Sequence, residues 1–334
     1  MNPSDKPAVL VIFYTAFGDL ATRLPGILAL RKHHPGAHLV CLTRAGMAEN
    51  IRAFNTFDEY ILDPAAGPRE TLKFLRALRR RRFARIYDLQ GYDRTVFYRM
   101  FLPVKQPRNQ MRPGMFVFLT RNLVRRVRAS LGIPARHIHQ HEGIKQMWRD
   151  YGITPADTIN PAAIPPLAES VAAALPAGDF ALLAPGSSIP PNRGRDRRWP
   201  PRDLKRWPSR NFGEIARRLA DKNIRPVVVG TAGEAHLLET IRAACPAAID
   251  LLGATGPADL IHLGLRARVM VSGDTGPVHW ASLGGVPVVS LFGSDVSPEL
   301  WAPRNSVVLE SRPLALLEPD AVWRAVERQL EQKR

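Results

Sequence analysis

Val269-Met-Val-Ser-Gly-Asp-Thr-Gly-Pro-Val-His-Trp-Ala-Ser-Leu-Gly-Gly-Val-Pro-Val-Val-Ser-Leu-Phe-Gly293 reads as a buried strand, a tight glycine turn, a short helix and a second buried strand. Val269 to Val271 and Val286 to Phe292 are short apolar runs bounded by Gly and Pro, the pattern of parallel strands covered on both faces. Between them, Asp274-Thr275-Gly276-Pro277 contains a helix start. Asp or Thr suits the cap, and Pro277 suits the first turn, where its missing N–H is not needed. Unpaired amides and a partial positive charge therefore collect beside Thr275 and Gly276, where a phosphate can sit. His279 follows Asp274 by five residues. On spacing alone, a capped turn with a packed histidine explains the stretch as well as a binding site does.

The same strand–turn–helix grammar recurs on either side. Phe180 to Ala184 opens the second sheet and leads into Pro185-Gly186-Ser187-Ser188, a turn whose amides and hydroxyls suit a phosphate. Phe212 to Asn223 reads as an amphipathic helix and Arg225 to Gly230 as a buried strand, with Glu234 four residues beyond. Leu251 to Gly253, a helix over Ala258 to Arg266 and a terminal helix over Pro319 to Leu330 complete this half. At the front of the chain, Ala8 to Tyr14 is an apolar strand. It runs into a turn over Thr15 to Pro25, with Asp19 at its mouth, and then a helix over Gly26 to His34. Strands follow at His38 to Thr43 and Tyr60 to Asp63. An arginine-rich helix over Arg69 to Phe83 precedes Ala84 to Gly91, where the turn Asp88-Leu89-Gln90-Gly91 is followed by Arg94. Asp19 also fits a helix cap, and Arg94 also fits a solvated arginine.

Three stretches stand apart. Met111 to Leu131 spaces Met115, Leu119, Leu123 and Val127 four apart among arginines, which suits either an anionic membrane surface or its own domain. His137, His139 and His141 alternate but lack the partners of a metal set, and the helix Glu142 to Tyr151 follows them. Residues 154–178 are rich in Pro and Ala and read as an interdomain linker. The expected organisation is a first domain over 1–153, this linker, a second domain over 179–318 and a terminal helix over 319–334.

Asp274-Thr-Gly-x-x-His279, Ala281-Ser-Leu-Gly-Gly-Val-Pro287 and Leu291-Phe-Gly293 together resemble the donor-site signature of the ADP-heptose:lipopolysaccharide heptosyltransferase family, glycosyltransferase family 9. Trp280 departs from it, standing where a smaller aliphatic residue is usual. The resemblance implies an α/β chain of GT-B architecture, two Rossmann-like domains facing each other across a cleft, with donor on the second and acceptor on the first. It implies that Asp274, Thr275, Gly276 and His279 hold the donor's sugar and diphosphate, that Ser187 and Ser188 line the same site, and that Glu234 holds the ribose. Gly18-Asp19-Leu20 and Leu24-Pro25 match the family's catalytic stretch, which makes Asp19 the base. Two segments compete for the family's Lys-x-Trp-Pro: Arg197-Arg198-Trp199-Pro200 and Lys205-Arg206-Trp207-Pro208. The second keeps the lysine and the distance to Phe212, so Lys205 is assigned to the diphosphate and 189–204 to an insertion. Arg23, Gln90 and Arg94 are assigned to the acceptor. The terminal helix is expected to brace the first domain.

Composition bounds these expectations. A chain of 334 residues accommodates two ordinary domains, and no apolar run reaches the ~18 residues of a membrane span. The formal net charge of +17 calls for an anionic partner, although arginine enrichment without a partner gives the same number. Cys41 and Cys245 suit reduced, buried thiols. A nicotinamide-dependent oxidoreductase lacks its Gly-x-Gly-x-x-Gly after the first strand, and a nucleic-acid-binding protein is poorly served by 7% aromatic content. No Asp-x-Asp pair occurs, so no metal and no cofactor is expected, the nucleotide-sugar, ADP-heptose by resemblance, being a co-substrate. The reading is an inverting, metal-independent transferase acting on an anionic glycolipid, cytoplasmic and peripheral on the inner face of the membrane. A silent relative that binds nucleotide or glycan, or a transferase using another nucleotide-sugar, is the alternative.

Overall fold

The computed structural model describes residues 6–14, 16–64, 67–90, 93–103, 140–156, 159–187, 206–293, 297–303 and 305–332. The chain divides into two compact units, one of residues 1–138 and 142–156 and the other of 139–141 and 157–334. Each is a parallel sheet flanked by helices, so the chain is of the α/β class with two Rossmann-like domains.

The first unit has four parallel strands, β1 (Ala8–Ile12), β2 (His38–Thr43), β3 (Glu59–Leu62) and β4 (Phe83–Asp88), ordered β3-β2-β1-β4. Leu10, Ile12, Val40, Leu42, Phe83 and Ile86 from these strands share a buried cluster with Leu75, Leu78 and Tyr98 from helices. The long helix Phe17–His33 begins far earlier than the Gly26 expected from sequence and carries Pro25 inside it. Two features offset the hydrogen bond that Pro25 cannot donate. Asp19, in the first turn, accepts from the Ala16 amide at 3.1 Å, and Leu20, Leu24, Ile27 and Leu30 form one continuous buried face. Gly26 then has a packing reason. A Cβ there would lie 2.0 Å from the ring of Trp148, which helix Gln140–Asp150 seats against it.

The second unit has six parallel strands, β5 (Phe180–Ala184), β6 (Arg225–Gly230), β7 (Ile249–Leu252), β8 (Met270–Gly273), β9 (Val288–Phe292) and β10 (Ser306–Glu310), ordered β10-β9-β8-β5-β6-β7. All neighbouring pairs are parallel. Residues 159–178 pack on this unit: the Ala168 amide donates to Asp259 Oδ1 at 2.9 Å, His262 Nε2 meets the Pro165 carbonyl at 2.8 Å, and Val171 is buried. Helix Pro319–Gln332 places Val322, Ala325, Val326 and Leu330 in the core of the same unit. Helices Pro257–Arg266 and Gly276–Leu283 cross at two glycines. A Cβ on Gly264 would lie 2.0 Å from the Ala281 carbonyl oxygen, and one on Gly284 would lie 2.3 Å from that of Ile261. Trp280, the departure from the family pattern, is fully buried. Cys41 and Cys245 are free and buried, and burial raises both thiol pKa values.

Candidate active site

In each sheet the unit's first strand lies beside its fourth, β1 beside β4 and β5 beside β8, so the helical connections leave in opposite directions there. Such a switch point opens a crevice at the carboxyl ends of the strands, where ligands of open α/β sheets bind. Most of the sequence-selected residues that the structure describes fall on these two edges.

At the second unit's edge, Ser187 follows β5, Glu234 follows β6, and Asp274, Thr275, Gly276 and His279 follow β8, three strands that are neighbours in the sheet. Glu234 is 6% exposed, and its Oε2 accepts from the Thr231 amide at 2.8 Å. Two glycines make room for this carboxylate. A Cβ on Gly186 would sit 1.9 Å from Glu234 Oε1, and one on Gly230 would sit 2.4 Å from Oε2. Gly230 also has φ of +157°, at the limit of the positive-φ range that favours glycine. After β8, Thr275 is the cap of helix Gly276–Leu283 and its hydroxyl lies 3.2 Å from that of Ser272. His279 is buried, with Nε2 3.7 Å from Asp274 Oδ1. The result is a carboxylate suited to paired hydroxyls next to a helix start suited to an anion. Ser188, Lys205 and the 189–204 stretch lie outside the described residues, as do 111–131, His137 and His139.

At the first unit's edge, Asp19 and Arg23 follow β1 and Gln90 follows β4. Asp19 is 18% exposed at its side chain, with Oδ1 4.0 Å from Arg23 Nη1. Arg23 is turned onto backbone: Nε donates to the Leu89 carbonyl and Nη1 to that of Asp19, both at 2.9 Å. Gln90 accepts from the Tyr14 amide at 3.0 Å through Oε1. The turn after β4 therefore clasps the loop that carries Asp19. Arg94 is engaged differently. Its Nε and Nη2 donate to both oxygens of Asp63, at 2.8 and 2.7 Å, and that carboxylate is wholly buried at the end of β3. Tyr98 also donates to Asp63, at 3.1 Å, and burial together with this carboxylate pushes the phenol up to about 12. A second buried carboxylate, Asp88, accepts from Thr95 Oγ1 at 3.0 Å and has Arg99 at 3.7 Å.

Sequence reasoning passed over Asp63, the Gly186 and Gly230 notch, and Arg206, whose Nη2 donates to the Ser187 carbonyl at 2.9 Å. The available signals were an acid immediately after a strand, for Asp63, and a glycine four residues before Glu234, for Gly230; Gly186 is distant in sequence and offered none. Among the described residues no group of three or more His, Cys, Asp or Glu is placed to hold a metal ion, and no helix is long and apolar enough to cross a membrane.

Residues 199–312 match the model of glycosyltransferase family 9 (heptosyltransferase). No curated protein matches the chain. Solved structures similar to it include a glycosyl transferase family 9 protein from Veillonella parvula, with TM-score 0.69 and 18% identity over 98% of both chains. Another is ADP-heptose lps heptosyltransferase II of E. coli, with TM-score 0.66 and 19% identity over 98% of this chain and 99% of that one. The E. coli heptosyltransferase WaaC with ADP gives TM-score 0.67 and 17% identity over 96% and 99%. At these identities the likeness is one of fold.

Proposed function

We propose that this chain, whose residues 199–312 match the model of glycosyltransferase family 9, moves a heptose or similar sugar from an ADP-sugar to the lipopolysaccharide core or a related anionic glycolipid, with inversion and without a divalent metal. One observation carries the reading: the second unit's switch point combines a buried carboxylate in a glycine notch, Glu234, with the helix start at Thr275 and Gly276. A carboxylate accepts from two ribose hydroxyls, and a helix start receives a diphosphate. Asp274 and His279 flank that start, with Ser187 on the neighbouring strand, and Ser188 and Lys205 are assigned to the same site. The ADP held by the WaaC neighbour supports the choice of nucleotide.

The chemistry divides between the units. Asp19 takes the proton from an acceptor hydroxyl, whose oxygen forms a bond to the anomeric carbon on the face opposite the nucleotide. The bond from that carbon to the diphosphate oxygen breaks and its electron pair leaves with the nucleoside diphosphate. The amides of Thr275 and Gly276 and the cations of the second unit receive that charge. Arg23, Gln90 and Arg94 belong to the acceptor side, Arg23 and Gln90 holding the Asp19 loop as well. A formal charge of +17 supports work at the inner face of the cytoplasmic membrane as a peripheral protein.

A thermal-shift panel of ADP, UDP, GDP and their sugar adducts tests the donor, with ADP-heptose expected to stabilise most. Stabilisation by UDP or GDP compounds alone would replace the ADP reading with another nucleotide-sugar, and binding without turnover on any lipopolysaccharide acceptor would favour a silent relative. Turnover that survives a chelator supports metal independence, and loss restored by an added divalent ion refutes it.

A further inference from the structure

We infer that Arg206 is a direct contact of the donor's diphosphate, an inference that rests on the ADP-sugar reading above and adds to it a residue that the motif leaves unspecified. The neighbouring Trp207 fixes where Arg206 can go. The Trp207 ring is 3% exposed within the second unit's core, it packs edge-on against Phe212, and its Nε1 donates to the Leu317 carbonyl at 2.8 Å. With the backbone pinned there, the Arg206 side chain reaches the end of β5, where Nη2 donates to the Ser187 carbonyl at 2.9 Å. Ala184, which ends β5, is paired with Ser272 of β8, and Thr275 caps its helix three residues beyond that serine. The guanidinium therefore stands at the same switch point as the helix start and the Glu234 notch.

Its electrostatic state sets it apart. Arg206 Nε is buried and has no hydrogen-bond partner, and among the described residues no carboxylate comes within 4.0 Å of the group. Arg94, Arg81 and Arg218, also partly buried, have Asp63, Glu59 and Glu214, and Arg85, which has no carboxylate among the described residues, donates to the Tyr151 carbonyl and has no unpartnered buried Nε. A buried donor without an acceptor is destabilising, and a buried cation is ordinarily paired. A guanidinium with an unpartnered Nε and no carboxylate beside it, at a nucleotide edge, is completed by an anion, and a diphosphate oxygen is the anion this reaction brings there. On departure of the sugar, the same group receives part of the charge that builds on the diphosphate.

The test compares ADP with adenosine on the full chain, by titration calorimetry or competition, for wild type, Arg206→Gln and Arg206→Lys. Removing a charge-assisted pair of bonds should weaken ADP by ~10–100-fold while adenosine changes less than about twofold, with Arg206→Lys recovering part of the loss. Equal weakening of ADP and adenosine would mean that Arg206 only supports the Ser187 turn, and the inference would be wrong. So would ADP affinity in Arg206→Gln equal to wild type. Wild-type protein that binds neither compound sinks the ADP reading itself, and this inference with it. Should Arg206→Gln fail to fold, Arg206→Lys carries the test alone: its shorter, non-forked donor should still weaken ADP selectively, and unaltered ADP affinity overturns the inference.

Discussion

The two units carry the same kind of sheet edge but balance charge in opposite ways. In the first, the buried carboxylates Asp63 and Asp88 face the helix Asp93–Phe101 and are met by Arg94 and Arg99 from it. In the second, the buried Glu234 is held by a backbone amide and the buried donor of Arg206 has no described counter-charge. The first edge is compensated from within, so its arginines mostly fix geometry. The second keeps a buried donor, Arg206 Nε, without a partner among the described residues. A basic residue near a crevice is thus a poor guide to binding until its partner is known.

The largest effect should come from the first edge. Asp19→Asn is expected to lower kcat by ~10²–10⁴-fold with donor affinity near wild type; a rate within a few-fold of wild type would remove Asp19 from the role of base. Asp63→Ala leaves the Arg94 fork beside a cavity. Breaking a buried pair costs ~3–5 kcal/mol, and partial exposure of Arg94 puts this one near the lower end. Chemical denaturation of the full chain checks it, and a loss below ~1 kcal/mol would erase the contrast drawn between the edges. Gly186→Ala attacks the second edge, because its Cβ would collide with Glu234 Oε1. Overpacking of ~1–3 kcal/mol should appear as weakened ADP binding with little change in acceptor KM.

The smallest expected effect concerns Glu59 on the first sheet's outer strand. Bonding from Arg81 holds its carboxyl down at about 2 against burial, which opposes it, with His38 assisting. A carboxyl depressed by folding stabilises above its unfolded pKa, and this contribution fades as pH falls from about 4.5 toward 2. Glu59→Gln should flatten the acid limb of the stability curve in that window, modestly, since the pair is a third exposed. An unchanged acid limb would show that the pair contributes nothing there.

Apolar runs punctuated by Gly and Pro made most strands legible, since a parallel strand is buried on both faces. Ser306–Glu310 escaped notice because β10 lies at the sheet edge, is only half-buried, and its short run Val307-Val308-Leu309 has no Gly or Pro directly beside it. The helix start at Phe17 was hidden by Pro25, which normally marks a boundary. Only the packed face of Leu20, Leu24 and Ile27, a tertiary feature, outweighs it. Asp19, Glu234 and the Asp274 turn stood out in sequence because each lies in a turn or helix start that follows a strand, while the roles assigned to them came from the family resemblance. The commitment of Arg94 to Asp63 could not: those residues are 31 apart in the chain and meet only across the sheet edge.

The crossing of helices Pro257–Arg266 and Gly276–Leu283 at Gly264 and Gly284 has a consequence for divergence. Main chain rests on main chain there, so the aim of the Thr275 helix is set by atoms that every amino acid shares. In this chain no side chain stands at the joint with which to re-aim the helix, and a Cβ at either glycine would collide with main chain. The turns after β5 and β6, which carry Gly186, Ser187 and Glu234, are not locked in this way and are where a change at this edge can be made by side chains.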